Sequence, residues 1–375
     1  MTDSIEQLFT PNQDERSRQA FVGALKKEIS SALEPQLEKH FDDELVTQYE
    51  ADHGRPPQSR DEARALAETD PLYQMWGSLT YTSQDLMWES VGDTVDRTIA
   101  SLEARGKTLE QGASVGSLTL DPALQFPEPI GSTEIHRQPG GYFHADEDLT
   151  AGALYTGTLM LYTAAKGFSS SSASPFAVVG QGVAKMIEPM LNGDTPSKIL
   201  DMGCGPGTVT FGLKQHFPDA EVHGVDLSAS FVRFAHLWAE EAGTSVHYRQ
   251  ADAANTGLES GTFDLIVSQI MFHETWHDKA PEIFAEARRL LKPGGLMVNI
   301  DVPYQPERLS LIEQVTNQWQ VANNGEPFWT GFADSSVTDM MTAGGFETEQ
   351  CFAKYVPAGP TRDYYVFGAK KDQAA

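Results

Sequence analysis

The sequence predicts a two-part α/β protein. A mostly helical N-terminal region over residues 1–150 is followed by a connecting helix and linker over 151–175, then by a largely parallel sheet over 176–371. Three observations predict it. Apolar residues recur at spacings of three and four from about residue 13 to 105. After the "SSSSAS" tract at Ser169 to Ser174, short apolar β-rich runs alternate with helical ones, which implies parallel strands joined by crossovers. The chain then closes with two β-rich runs joined by Pro-Ala-Gly-Pro at 357–360, a connection short enough only for antiparallel neighbours.

In chain order, "RQAFVGALKKEISSALEPQLEKHFDDELVTQYEA" carries the helical spacing, and "HGRPPQS", His53 to Ser59, breaks it with a turn. The next run includes "LYQMWGSLTYTSQDLMW", where Tyr73, Met75, Trp76, Tyr81, Met87 and Trp88 at helical spacing are expected to pack as core. From Gly112 to Gly141, Gly, Pro, Ser and Thr become frequent, as in short strands or an extended connection. In "HRQPGGYFHADEDL", His136 to Leu149, Gly140 and Gly141 make a turn and Asp146 and Glu147 suit the first turn of a helix. Tyr142 and Phe143 behind those glycines could close over a ligand, with His144 touching the substrate, so Tyr142 is kept as a candidate catalytic residue. His144, Asp146 and Asp148 also have the make-up of a metal cluster, but carboxylates at a helix start are commoner, and no metal is expected.

Beyond the linker, "SKILDMG", "EVHGVDLS", "VHYRQAD", "FDLIVSQIMF" and "LMVNIDVP" are strands. "GTVTFGLKQHF", "ASFVRFAHLWAEEAG" and "APEIFAEARRLLKPGG" are the helices among them. With the terminal hairpin, "FETEQCFAKYV" and "RDYYVFGAKK", seven strands are expected.

Composition bounds the function. A formal charge of −26 repels a polyanion over most of the surface, so nucleic acid is not an expected partner. Two cysteines, Cys204 and Cys351, make neither a disulfide framework nor a CxxC metal pair. The acidic N-terminus lacks the pattern of a signal peptide. The most apolar stretch, "LTAGALYTGTLMLYTAAKGF", is interrupted by Gly and Thr and is short for a membrane span. A cytoplasmic protein with no membrane partner is the expectation.

The junction of the first strand and helix of the second part reads "KILDMGCGPGTVT", with Asp201, Gly203, Gly205 and Gly207. Glycines there let the backbone turn sharply and let a ligand approach without meeting Cβ atoms. A dinucleotide loop would read G-x-G-x-x-G, but the third glycine position holds Thr208. No Walker lysine follows, since Thr208-Val209-Thr210 stands where Lys-Ser/Thr would be.

The spacing D-x-G-x-G-x-G, with Asp226 ending the second strand, Asp252 after the third, "LLKPGG" at Leu290 to Gly295 and the final hairpin, resembles the class I S-adenosylmethionine-dependent methyltransferases. The resemblance covers about half the chain. It implies a seven-stranded Rossmann-like sheet with an antiparallel C-terminal edge and S-adenosylmethionine as cofactor, released as S-adenosylhomocysteine. It assigns Asp226 to the ribose hydroxyls and Asp252 to the adenine amino group. Cys204 in the loop, Leu227 and Ala253 after the two acids, and Gln269 at the end of the fourth strand complete the cofactor-binding set with Asp201 and the three glycines. The implied acceptor is a small molecule, methylated at O or S ahead of N or C. In this family a helical N-terminal region often covers the substrate and supplies a dimer interface.

One segment competes for attention. "HETWH", His273 to His277, matches the H-E-x-x-H pattern of zinc peptidases. That chemistry needs the two histidines on one face of a helix, whereas here a β-rich run leads directly into His273 and the continuation of the zinc motif is missing. His273 is expected instead at the C-terminal end of the fourth strand. "FHETWHD" resembles a variant of the His-Asp-Trp segment of small-molecule O-methyltransferases, with Glu after the His and Trp276 one place later. The resemblance makes His273 a candidate general base, with a packed, cavity-shaping histidine as the plain alternative. His277 is the second candidate, and Gln269 and Asp301 are placed to orient the acceptor.

Overall fold

Among the described residues, eight strands form one sheet in the order β1-β4-β3-β2-β5-β6-β8-β7. They are β1 (Ser117–Thr119), β2 (Lys198–Met202), β3 (Glu221–Asp226), β4 (His247–Gln250), β5 (Phe263–Gln269), β6 (Leu291–Asp301), β7 (Cys351–Pro357) and β8 (Asp363–Lys370). The computed structural model describes residues 10–110, 112, 114–128, 130–143, 148–165, 175–302, 308–357 and 363–373. His144, Asp146, Glu147, the serine tract and the turn residues 358–360 lie outside these.

Strands β1 to β6 run parallel to their neighbours, and β6, β8 and β7 pair antiparallel, as the sequence implies. The eighth strand is the addition. β1, from the N-terminal part, pairs in parallel with His247 to Arg249 of β4. Three residues are too few for an alternation signal, and tertiary contacts fix this strand. A Cβ at Gly116 would sit 2.1 Å from the Val246 carbonyl oxygen, so only glycine admits the approach, and the Glu240 carboxylate accepts the Val115 and Gly116 N–H groups. The last parallel strand also starts earlier than its apolar run suggests. Leu291 pairs with Phe263 and Leu296 with Leu265, so "KPGG" is an irregularity inside β6.

Side chains alternate across the sheet. Leu200, Met202 and Ile266 pack on one face with Ile283, Phe284 and Ala287 of the helix Ala280–Leu290 and with Met340 and Met341 of the helix Val337–Ala343. Ile199, Leu265 and Val267 pack on the other with Val183 and Ile187 of the helix Pro175–Ile187 and with Val209 and Leu213 of the helix Thr208–His216.

The N-terminal part is helical. Segments Gln13–Glu28, Glu34–His40 and Val46–His53 follow one another through π-helical turns at Ile29–Leu33 and Phe41–Leu45, and Gly54 in a left-handed conformation stops them. Arg60–Ala67 and the 40-residue helix Pro71–Glu110 complete it. Asn12 and Glu15 form a capping box, and Arg97 binds both Glu15 oxygens at 2.7 Å, which holds that carboxyl down to about 2.

Two seams join this part to the sheet. Leu37, Phe41 and Trp76 pack with Ile312 and Val315 of the helix Leu311–Asn323. Trp88, Val91, Val95 and Leu102 pack with Leu154 of the helix Thr150–Ala165 and with Phe234, Leu237 and Trp238 of the helix Ala229–Glu241. Of the aromatic cluster, Trp76, Tyr73, Met87 and Trp88 are core, while Met75 and Tyr81 are exposed. No described helix is long and apolar enough to cross a membrane.

Candidate active site

The glycine loop leaves β2 with positive φ at Gly203, Gly205 and Gly207, +68°, +52° and +87°. A side chain would be costly there, for two reasons. A Cβ at Gly203 would strike Met271 at 2.6 Å, and one at Gly207 would strike the Tyr248 hydroxyl at 2.6 Å. At Gly205 nothing lies within 4 Å, so the loop presents bare backbone to open space. That space is a cavity of about 1350 Å³, large enough for a cofactor and an acceptor together.

Carboxylates at the strand tips face it. Asp226 at the end of β3 accepts the Gly205 and Ser228 N–H groups, both at 2.9 Å, one on each oxygen. Burial pushes its carboxyl up to about 6 against those two hydrogen bonds. Each oxygen keeps a lone pair for a ligand hydroxyl. Asp201 is buried and accepts the Thr210 hydroxyl at 2.6 Å, and burial pushes it up to about 7. Asp252, after β4, caps its own turn through the Ala254 N–H at 2.8 Å. An adenosyl ligand with two ribose hydroxyls and no phosphate fits this donor and acceptor set.

The other end of the cavity is assembled from four segments. After β5, Ile270 adopts φ +55° and the chain enters a short turn, Phe272–Glu274, with Phe272 buried against Phe284. That turn sends His273 inward and Glu274 into the cavity. Asp301 at the end of β6 takes the Phe272 N–H on one oxygen, 2.9 Å, and His273 Nδ1 on the other, 2.6 Å. Glu274 Oε1 receives His136 Nε2 at 2.6 Å and the Tyr142 hydroxyl at 3.3 Å, and His273 Nε2 lies 3.8 Å away. The second nitrogen of His136, Nδ1, pairs with Glu326.

His136 and Arg137 hold φ +55° and +58°, a conformation that costs on the order of 1–3 kcal/mol for non-glycine residues. The surroundings impose it. Gly325 O accepts the His136 N–H at 2.9 Å, while Gln84 Nε2 and Trp88 Nε1 donate to the His136 carbonyl at 3.0 and 2.9 Å. Arg137 pairs with Asp85 and lies over the Tyr81 ring. The long N-terminal helix therefore aims His136 at Glu274.

Burial alone would lower both histidines. For His136 the Glu326 and Glu274 carboxylates outweigh it and raise the imidazole well above its usual range. For His273, Asp301 together with Glu274 and Glu326 raises it to about 9. Burial would raise Glu274, but His136 and His273 hold it below the usual carboxylate range. Burial pushes the Tyr142 hydroxyl well up, so it stays a donor.

A protein-family profile described as a methyltransferase domain matches residues 199–295. Malonyl-[acyl-carrier protein] O-methyltransferase of Hahella chejuensis is 29% identical over 136 residues, 36% of this chain and 47% of that one. Demethylmenaquinone methyltransferase of Thermus thermophilus is 33% identical over 113 residues, 30% and 50% of the two chains. Residues 199–295 therefore carry a methyltransferase domain, in line with the resemblance of the glycine loop and strand-end acids. The chain spans about half the length of these curated relatives. Among solved structures, it is similar to a putative O-methyltransferase from Nostoc punctiforme at 18% identity and a TM-score of 0.41, over 60% of this chain and 66% of that one.

Asp201, Gly203, Cys204, Gly205, Asp226, Leu227, Asp252, Ala253 and Gln269 all line the one cavity, as does Tyr142. Three of the expected residues lie elsewhere. Gly207 does not line it, and its lack of a side chain serves the packing against Tyr248 and Ala235. His273 does not line it either, because the turn buries the ring beside Asp301 and faces Glu274 to the cavity in its place. His277 is 41% exposed, beside Asp278 and stacked on Trp276, since no helix joins it to His273. The H-E-x-x-H pair is thus split between core and surface. Asp301, expected to orient the acceptor, holds His273 Nδ1 and the Phe272 N–H. Sequence reasoning missed Glu274, His136, Glu326 and Tyr155. Only the first two had a signal, the carboxylate inside the His motif and the histidine opening "HRQPGGY".

Proposed function

We propose that the enzyme transfers the methyl group of S-adenosylmethionine to a small-molecule acceptor at O or S. The single observation behind this reading is that the carboxylate of Glu274 and the hydroxyl of Tyr142 face the same cavity as the glycine cradle. Methyl transfer from a sulfonium is an in-line displacement, so most of the acceleration comes from holding donor and acceptor in contact with water shut out.

Tyr142, Tyr155 and Phe231 form an aromatic wall at 4.9 to 6.0 Å between ring centres, suited to the body of an organic acceptor. Glu274 takes the hydrogen bond of the acceptor's O–H or S–H group, and Tyr142 fixes the carboxylate. His273, held by Asp301 through Nδ1 and set behind Glu274, is a positioning residue in this scheme, where the sequence offered it as the base. A small molecule is the partner that fits a cavity of this size on a chain of net charge −26.

The test is release of S-adenosylhomocysteine from the cofactor in the presence of phenols, thiols, amines and carboxylic acids in turn. Turnover with a phenol or thiol is expected. Turnover with amines alone would remove the O or S assignment, and cofactor binding without turnover on any class would make the chain a ligand-binding protein.

A further inference from the structure

Two imidazoles and a carboxylate converge beside the acceptor end of the cavity in a manner that hydrogen bonding to an acceptor does not require. One ligand atom from each of His136, His273 and Glu274 lies within 4.8 Å of the other two, and the two Nε2 atoms lie 2.6 and 3.8 Å from Glu274 Oε1. They come from two distant parts of the chain, and the turn after β5 contributes only two of the three. Each ring has its other nitrogen on a buried carboxylate, His136 Nδ1 on Glu326 and His273 Nδ1 on Asp301, so both rings are fixed with Nε2 pointing inward. Metal-binding histidines are held in this way, by a carboxylate on the nitrogen that does not coordinate. Glu326 is 3% exposed and its second oxygen has no hydrogen-bond partner among the described residues, an orphan carboxylate buried behind the cluster.

We propose that His136, His273 and Glu274 form a binding site for one divalent first-row transition-metal ion, with its open coordination positions turned to the acceptor. Two histidines and one carboxylate are the ligand set of catalytic zinc and non-haem iron sites, which keep positions free for substrate. Coordination at about 2.0–2.2 Å sets ligand atoms roughly 3–3.5 Å apart, so the three atoms need shifts of about an ångström. His277 has no part in the site, so it is not the zinc-peptidase arrangement. The chemistry deepens the methyl-transfer reading and rests on it only for the acceptor. A bound ion would take the oxygen or sulfur of the acceptor as a ligand and favour its ionised form, with the proton passing to solvent, and the ionised atom then attacks the methyl group.

The experiment uses the full chain stripped with a chelator and titrated with zinc chloride and, separately, cobalt(II) chloride. The expected result is one equivalent of either ion and visible cobalt bands of a low-symmetry nitrogen and oxygen site. Affinity should fall at least tenfold in His136→Ala and Glu274→Ala and about 10–100-fold in Asp301→Asn, with none lost in His277→Ala. S-adenosylhomocysteine binding by calorimetry, run in parallel, reports on the cradle and on folding of each variant. A wild-type chain that binds the cofactor product but less than stoichiometric metal overturns the proposal and leaves the methyltransferase reading standing, as does binding that survives His136→Ala. Stoichiometric metal without turnover on any acceptor would leave the site standing and sink the reading of its function.

Discussion

The two ends of the cavity are built on different plans. The cofactor end comes from one stretch, Asp201 to Asp252, in which each residue sits at the tip of a consecutive parallel strand or in the loop after it. The proposed acceptor end draws Glu274 from beyond β5 and Tyr142 from the N-terminal part, backed by His273, by Asp301 of β6, by Glu326 from the segment after the helix Leu311–Asn323 and by His136. A contiguous site follows from local geometry, whereas an assembled one depends on how separate parts dock.

The sharpest way to break the contrast is at Glu274, where the two histidines and Tyr142 meet. Glu274→Gln keeps the shape and removes the charge. Turnover is expected to fall at least about 100-fold, in the range of lost acid–base or charged-group catalysis, while S-adenosylhomocysteine affinity by calorimetry stays within about threefold. An equal loss in both would mean that the two ends are one energetic unit. Asp226→Ala tests the other end. Cofactor affinity should drop at least about tenfold, or 1.4 kcal/mol, because the carboxylate both pins Gly205 and meets the ligand. Unchanged affinity would contradict the ribose assignment.

The same contrast explains what could be read in the sequence. Gly203, Gly205, Asp226 and Asp252 were legible because a glycine turn and a strand-end carboxylate are local facts, expressed at fixed spacing. The seven main strands were legible for a like reason, as apolar runs bounded by turns, while the three-residue β1 lay in a stretch readable equally as short strands or an extended connection. His136 was not, since its role depends on a left-handed backbone imposed by Gln84, Trp88 and Gly325, which lie 48 or more residues away. The exchange of His273 for Glu274 escaped too. One residue past a strand end, a positive φ at Ile270 decides which of two neighbours faces inward, and an isoleucine gives no warning of it.

A glycine outside the cradle sharpens this further. Gly325 has φ +67°, and a Cβ there would sit 2.5 Å from the Glu134 carbonyl oxygen and 2.9 Å from the Arg137 nitrogen. Gly325→Ala is expected to cost roughly 1–3 kcal/mol of stability, read as a lowered melting temperature, and to lower turnover several-fold with cofactor affinity retained. The substitution pushes the strap carrying His136 away from the loop carrying Glu326, and leaves the Asp201 to Asp252 stretch alone. Loss of cofactor affinity instead would mean that the strap supports the cradle as well.

The smallest effect is expected where sequence and structure disagree most openly. His277 shares a five-residue motif with His273, yet its ring rests on Trp276 at the surface, beside Asp278 and against Gly331. An exposed ion pair of this kind contributes at most about 1 kcal/mol. His277→Ala should therefore change turnover less than about twofold at neutral pH. The paired variant His273→Ala leaves the buried Asp301 carboxylate with only the Phe272 and Val302 N–H groups, and should lose both turnover and stability. If the two variants behaved alike, the turn after β5 would have to rearrange into a helix that brings both rings to one face, and the inward position of Glu274 would fall with it.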